Sequence, residues 1–171
     1  MNENESTATP REHGYRGAVA CQAAGISYRQ LDYWARTGLV VPSIRSASGS
    51  GSARLYSFTD ILVLKIIRRF LDAGVSLQNI RTAVEHLTAK GVASLEQVTL
   101  MSDGVSIYEC SSSEEVYDLL QGGQGVFGIA IGKVLSEVEG TLVTLERDSA
   151  ASDSDELAAR RRAKEAEVKA V

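Results

Sequence analysis

Cysteine, histidine and proline are all scarce in this 171-residue chain, with two of each. Cys21 and Cys110 lie far apart, without the paired spacing of a zinc site or the density of a secreted disulfide scaffold, so both read as packed free thiols. His13 and His86 are too isolated for metal binding or acid–base work and read as surface residues. No stretch approaches the roughly 20 apolar residues of a membrane helix, and the opening MNENESTATP has no basic region followed by an apolar run. The expectation is a soluble, cytoplasmic protein. Phosphate-loop chemistry is also excluded. Gly122, Gly123 and Gly125 follow a helix rather than precede one and lack the lysine–serine pair, so they read as a helix stop. The acids Glu109, Glu114, Glu115 and Asp118 read as a solvated face. With no nucleophile–base pair, metal set or cofactor loop, neither an enzyme nor a bound cofactor or metal is expected.

What is present is charge, unevenly spread. The net charge is −4, which by itself argues against nucleic acid. Yet residues 11–90 hold 11 Lys and Arg against 5 Asp and Glu, whereas residues 91–171 hold 7 against 15. A basic module joined to an acidic one suits a phosphate-binding domain carrying a partner or sensing region, because only the surface that meets DNA must be positive.

The pattern along the chain predicts an α+β fold in four segments. Residues 1–13 are polar, contain Pro10 and read as a disordered lead-in. In residues 14–90, Val19, Ala20, Ala23 and Ala24 recur at helical spacing before Gly25. Ser27 then caps a helix to Thr37, with Leu31, Trp34 and Ala35 on one face and Arg29, Asp32, Tyr33 and Arg36 toward the other. Gly38 stops it. Ile44–Arg45 and Arg54–Tyr56 read as two short strands around a flexible Gly/Ser tip. Ser57 or Thr59 caps a broadly apolar helix ending near Gly74, and Ser76 caps another running to about Ala89. Residues 91–147 read as a small acidic α/β accessory domain: a hairpin turning at Asp103–Gly104, a helix from Ser113 to about Leu120, a strand VFGIAI, and a helix. In that last helix Ile131, Leu135, Val138, Leu142 and Leu145 form a coiled-coil-like seam, expected to pack on the small domain's own sheet, with a dimer seam as the alternative. Residues 148–171 read as a polar tail, disordered or a frayed helix.

A helix, a tight turn, a second helix with an exposed polar face and a basic hairpin together can read duplex DNA. The second helix can enter the major groove, where Tyr28, Arg29, Tyr33 and Arg36 reach base edges or flanking phosphates. Arg45 and Arg54 flank the tip and can straddle the backbone. At ISYRQLDYWARTGLV the chain resembles the MerR family of winged helix-turn-helix regulators. The resemblance continues through Pro42, the Arg54-Leu55-Tyr56-Ser57 string, the Asp60 helix with Arg68 and Arg69, and GVSLQNI, covering residues 15 to 90. Within that family the general likeness is to the actinobacterial subgroup with a short accessory C-terminal domain.

The resemblance implies that Ser27, Arg29, Tyr33, Arg36, Arg54 and Tyr56 contact double-stranded DNA, with Arg45 as a wing contact. Asp32 stands where the family commonly has arginine, and the wing tip is longer than usual. The family's long dimerisation helix and cysteine-rich or barrel sensor do not follow. The expected function is a sequence-specific transcription regulator, with residues 27–37 in the major groove and the wing, 42–56, on the backbone of a palindromic promoter site. It would act as a homodimer, with the acidic region supplying dimerisation or meeting RNA polymerase or another protein. An architectural or recombination accessory protein is the alternative. A ligand-sensing C-terminal region ranks lower, for want of an aromatic cage or polar pocket.

Overall fold

Ser27, Ser57 and Ser76 organise the N-terminal half, because each stands before an apolar-periodic segment and caps a helix there. A computed structural model describes residues 13–46, 53–123 and 127–169. The lead-in before His13 and the wing tip lie outside them. Strand β1 (Tyr15–Arg16) runs directly into helix α1 (Gly17–Ala24). Gly25 ends α1 at φ +72°, a left-handed conformation that a side chain would strain. The Ser27 hydroxyl accepts the Gln30 amide at 3.2 Å and the Gln30 side chain returns to the Ser27 amide at 3.0 Å, which opens helix α2 (Tyr28–Arg36) with a reciprocal cap. Strand β2 (Leu55–Tyr56) pairs antiparallel with β1. Of the two candidate caps for the next helix, Ser57 takes the role at the head of α3 (Phe58–Asp72), and Ser76 caps α4 (Leu77–Thr88).

Helix α3 is the centre of the molecule. Ile61, Leu62, Val63, Leu64, Ile66, Ile67 and Phe70 are all buried, so it is apolar around most of its circumference and needs neighbours on several sides. Helices α1 and α4 supply two of them.

The second half begins with a single turn, α5 (Val92–Leu95), followed by strands β3 (Thr99–Ser102) and β4 (Ile107–Cys110), helix α6 (Ser113–Gln121), strand β5 (Phe127–Ala130) and helix α7 (Ile131–Lys169). The sheet is antiparallel with strand order β4-β3-β5. The hairpin turn is wider than the dipeptide Asp103–Gly104 suggests. Pairing ends at Ser102 opposite Ile107, and the Asp103 carboxylate closes the turn by accepting the Val105 and Ser106 amides at 2.9 and 2.6 Å. Those amide bonds, Ser106's first, hold the Asp103 pKa below its ordinary value.

Helix α7 is continuous to Lys169, so the segment after residue 148 takes the helical one of its two expected forms. The composition explains this, since its Ala, Glu, Arg and Lys are strong helix formers. Its apolar seam, however, packs elsewhere. Ile131, Val134, Leu135, Val138 and Leu142 are buried, and α7 packs on α1 and α3 more than on β5. Polar contacts fix this docking: Glu137 pairs with Arg69 at 2.5 Å and Lys65 at 3.7 Å, and the His13 ring hydrogen-bonds Glu146 at 3.1 Å. Residues 91–147 therefore share one hydrophobic core with the N-terminal half, running from Tyr15 to Leu142, and do not bury a separate one. Cys21 and Cys110 lie in partly and fully buried settings, and burial pushes both thiols up in pKa.

Candidate nucleic-acid interface

Helix α2 turns Leu31 and Trp34 into the core, at 2% and 3% exposure, and thereby turns the opposite face outward. Arg29, Tyr33 and Arg36 are separated by four and three residues and form one exposed stripe on that face. Tyr28 stands beside the stripe at the start of the helix, two-thirds exposed. Ser27 is exposed as well, with its hydroxyl engaged in the cap. Arg36 lies in the last turn, where the helix dipole favours a cation. From α4, Arg81 donates to the Thr37 carbonyl at 3.0 Å, which anchors the end of α2 to the helix behind it.

The wing is fastened at its base by Asp60, a buried acid in the first turn of α3. Its Oδ2 accepts the Ser43 amide, the Ser43 hydroxyl and the Ser57 amide, each at 2.8 Å, so one carboxylate oxygen ties together the two ends of the wing. Above it Arg45 and Leu55 exchange backbone hydrogen bonds, with Leu55 N to Arg45 O at 2.8 Å. The Arg45 side chain is exposed and donates through Nε to the Ala53 carbonyl.

Asp32 joins the wing to α2. Its Oδ1 accepts Arg54 Nη1 and its Oδ2 accepts Arg36 Nε, both at 2.8 Å. The Arg54 hydrogen bond is the largest cause holding the Asp32 pKa below its ordinary value, and the same bond raises that of Arg54. The acid in this unusual position is thus neutralised within the chain, and one net positive charge remains on the trio.

Tyr56 is placed differently from the other expected contacts. It is 0% exposed, lies opposite Tyr15 in the β1–β2 pair, and its hydroxyl is buried beside the Arg54 side chain. Burial pushes the phenol up in pKa, while the neighbouring Arg54 cation pulls it down. The ring is therefore part of the core beneath the wing, not part of the exposed face. Two residues escaped the reading of the sequence. Arg16 is exposed on β1 alongside the wing strand, opposite Leu55. Gly17 lets α1 approach α2 closely, since a Cβ there would stand 3.2 Å from the Leu31 side chain and 3.3 Å from that of Tyr28. A glycine opening a helix is the faint signal of that contact.

Among the described residues there is no His, Cys, Asp and Glu cluster suited to a metal, and no helix is long and apolar enough to cross a membrane. A cleft of about 620 Å³ separates α4 from the hairpin, lined by Asn79, Ala83, His86, Leu100, Ile107 and Glu109 among others. Glu109 is engaged there by Lys90 and by His86 at 3.0 Å.

Residues 15–87 match the family described as MerR HTH family regulatory protein. The chain is 61% identical over 161 residues to an HTH-type transcriptional regulator of Mycobacterium tuberculosis, an alignment that spans 91% of this chain and 72% of the relative. Nodulation protein NolA of Bradyrhizobium elkanii is 33% identical over 84 residues, spanning 49% of this chain and 37% of that protein. The regulator HmrR of Sinorhizobium medicae is 36% identical over 62 residues, spanning 36% and 40%. Capped helices, a tight glycine turn, a cationic outward stripe and a fastened wing occupy the matched segment, and the chain belongs to the MerR family of helix-turn-helix regulatory proteins: a DNA-binding transcriptional regulator, not an enzyme.

Proposed function

We propose that the chain is a sequence-specific regulator that lays α2 in the major groove and rests the wing on the flanking backbone. The carrying observation is the stripe Arg29, Tyr33 and Arg36, exposed on a helix whose other face is sealed by Leu31 and Trp34. Tyr28, Arg29, Tyr33 and Arg36 have the length and the donors to reach base edges, while Ser27, Arg45 and Arg54 suit phosphates. Arg16 joins the phosphate set from β1. The protein acts as a cytoplasmic homodimer on a palindromic promoter site, because two copies of one reading helix call for two equivalent half-sites. The acidic region, residues 91–169, is the surface open to RNA polymerase or another protein.

Binding to genomic fragments across a salt series, with wild type and Arg36→Ala, tests the reading. A log–log slope near −0.9 per neutralised phosphate is expected, and the variant should lose about 1 to 3 kcal/mol at the preferred site. Unchanged affinity and selectivity of Arg36→Ala would remove the stripe from the interface. Footprinting addresses the architectural alternative: a discrete symmetric site supports the regulator, and protection that spreads with concentration opposes it.

A further inference from the structure

Helix α6 packs on β4 along one side, where Val116 and Leu119 are half-buried, and leaves its other side open. None of its residues is buried, and Tyr117 and Leu120 are 59% and 52% exposed. Its ends are held locally: the Ser112 hydroxyl accepts the Glu115 amide, and Glu115 Oε2 accepts the Ser111 amide. An isolated helix of this length is marginal in water, and most helical stability comes from packing an amphipathic face. The charge on α6 is of one sign, with Glu114, Glu115 and Asp118 and no cation. Glu114, Tyr117, Asp118 and Gln121 lie three, four and seven positions along and share a face, with Leu120 beside them.

The distal part of α7 carries both signs of charge, with one purely cationic stretch within it. Its anchoring to the core ends near Glu146, and Leu157 is 57% exposed. Residues 157–164 contain four cations and no acid, and Leu157, Arg160, Arg161 and Lys164 fall on one stripe. Arg160 pairs with Glu156 at 2.6 Å, whereas Arg161, Arg162 and Lys164 form no ion pair among the described residues. Eight helical residues rise about 12 Å, close to the span of α6. Because α7 is unbroken from Ile131 to Lys169, it cannot double back toward its own α6.

We propose that two copies exchange these arms: residues 157–164 of each α7 dock on α6 of the other. Leu157 meets Tyr117 and Leu120, and Arg161 and Lys164 face Glu114 and Asp118. This deepens the homodimer of the preceding reading by naming its surface, and it needs no DNA.

The test uses the full chain without DNA, in sedimentation velocity and native mass spectrometry, with circular dichroism to verify folding. One variant, Glu114→Lys with Asp118→Lys, makes α6 basic; the other, Arg161→Glu with Lys164→Glu, makes the arm acidic. Each alone should dimerise about tenfold or more weakly than wild type. An equimolar mixture should recover mixed dimers, since both of its α6–arm contacts then join opposite charges, and all four changes in one chain should recover the homodimer. Unchanged dimerisation of the two single-surface variants, absence of mixed dimers, or a monomeric wild type overturns the exchange. A monomeric wild type that still gives a discrete footprint overturns the exchange alone and leaves the DNA-binding reading in place. Weaker DNA binding by the arm variant with its dimer intact assigns those cations to phosphate, and likewise overturns it.

Discussion

Asp32 stands between two guanidinium groups, and each carboxylate oxygen serves one of them at 2.8 Å. Its pKa is lowered in the folded chain, chiefly by the Arg54 bond. The stability it contributes is therefore fully present above the ordinary aspartate range, near about 4, and is lost as pH falls through the lowered native value. The same geometry makes Asp32 a brake on phosphate binding, because Arg36 and Arg54 must share it with DNA. Asp32→Ala should tighten non-specific DNA binding and steepen the salt slope by about 0.9, the value of one further phosphate. An unaltered slope in salt titrations would show that the two arginines already reach phosphate with Asp32 in place. Tyr56 supports a prediction of the other kind. Removing the buried hydroxyl relieves a desolvation penalty and gives up its interaction with Arg54, so Tyr56→Phe should change stability by no more than about 1 kcal/mol, with DNA affinity unchanged. Thermal melts and binding curves on the variant check both halves, and lost affinity would return Tyr56 to the interface.

At the level of elements, the junction of β5 and α7 is the tightest packing contact involving a glycine among the described residues. A Cβ on Gly132 would stand 2.6 Å from the Glu96 carbonyl oxygen, a backbone atom that cannot swing aside. The helix-propensity gain of alanine, about 1 kcal/mol, competes with overpacking of about 1 to 3 kcal/mol. Gly132→Ala should thus lower Tm while leaving helix content by circular dichroism intact; an unchanged or raised Tm would show that this junction yields freely. Which elements were legible in the sequence follows from the range of the forces that form them. The helices begin at Ser27, Ser57 and Ser76 because capping and apolar period are local, and those serines announced them. Strand β1 is two residues long and owes its existence to pairing with Leu55–Tyr56, about forty positions away, so no local pattern marks it. The outward face of α2 was readable from period alone, whereas the inward turn of Tyr56 depends on which side of that small sheet meets the core. The docking of α7 rests on contacts such as Arg69 with Glu137, 68 positions apart, which no periodicity encodes.

Across the whole molecule, the contrast between a basic and an acidic half resolves into a division of labour among cations. The acidic half takes Lys65, Arg69 and Lys90 through Glu137 and Glu109. Arg36 and Arg54 pair only locally, with Asp32, and Arg16, Arg29 and Arg45 make no ion pair among the described residues. Positive charge is thereby quenched where α3 and α4 meet the second half and left available along α2 and the wing, which is how a chain of net charge −4 presents a cationic face to DNA. The same stitching couples the halves mechanically. Leu95, Leu100, Ile129, Val134 and Leu142 belong to one cluster with Trp34, Phe58 and Phe70, so neither half can open without exposing apolar surface of the other. A single cooperative transition should follow, with Trp34 fluorescence, which reports the N-terminal half, coinciding in denaturant with far-ultraviolet circular dichroism, which reports both. Two separated transitions, with Trp34 unaffected through the first, would show instead that residues 91–147 unfold as a unit of their own.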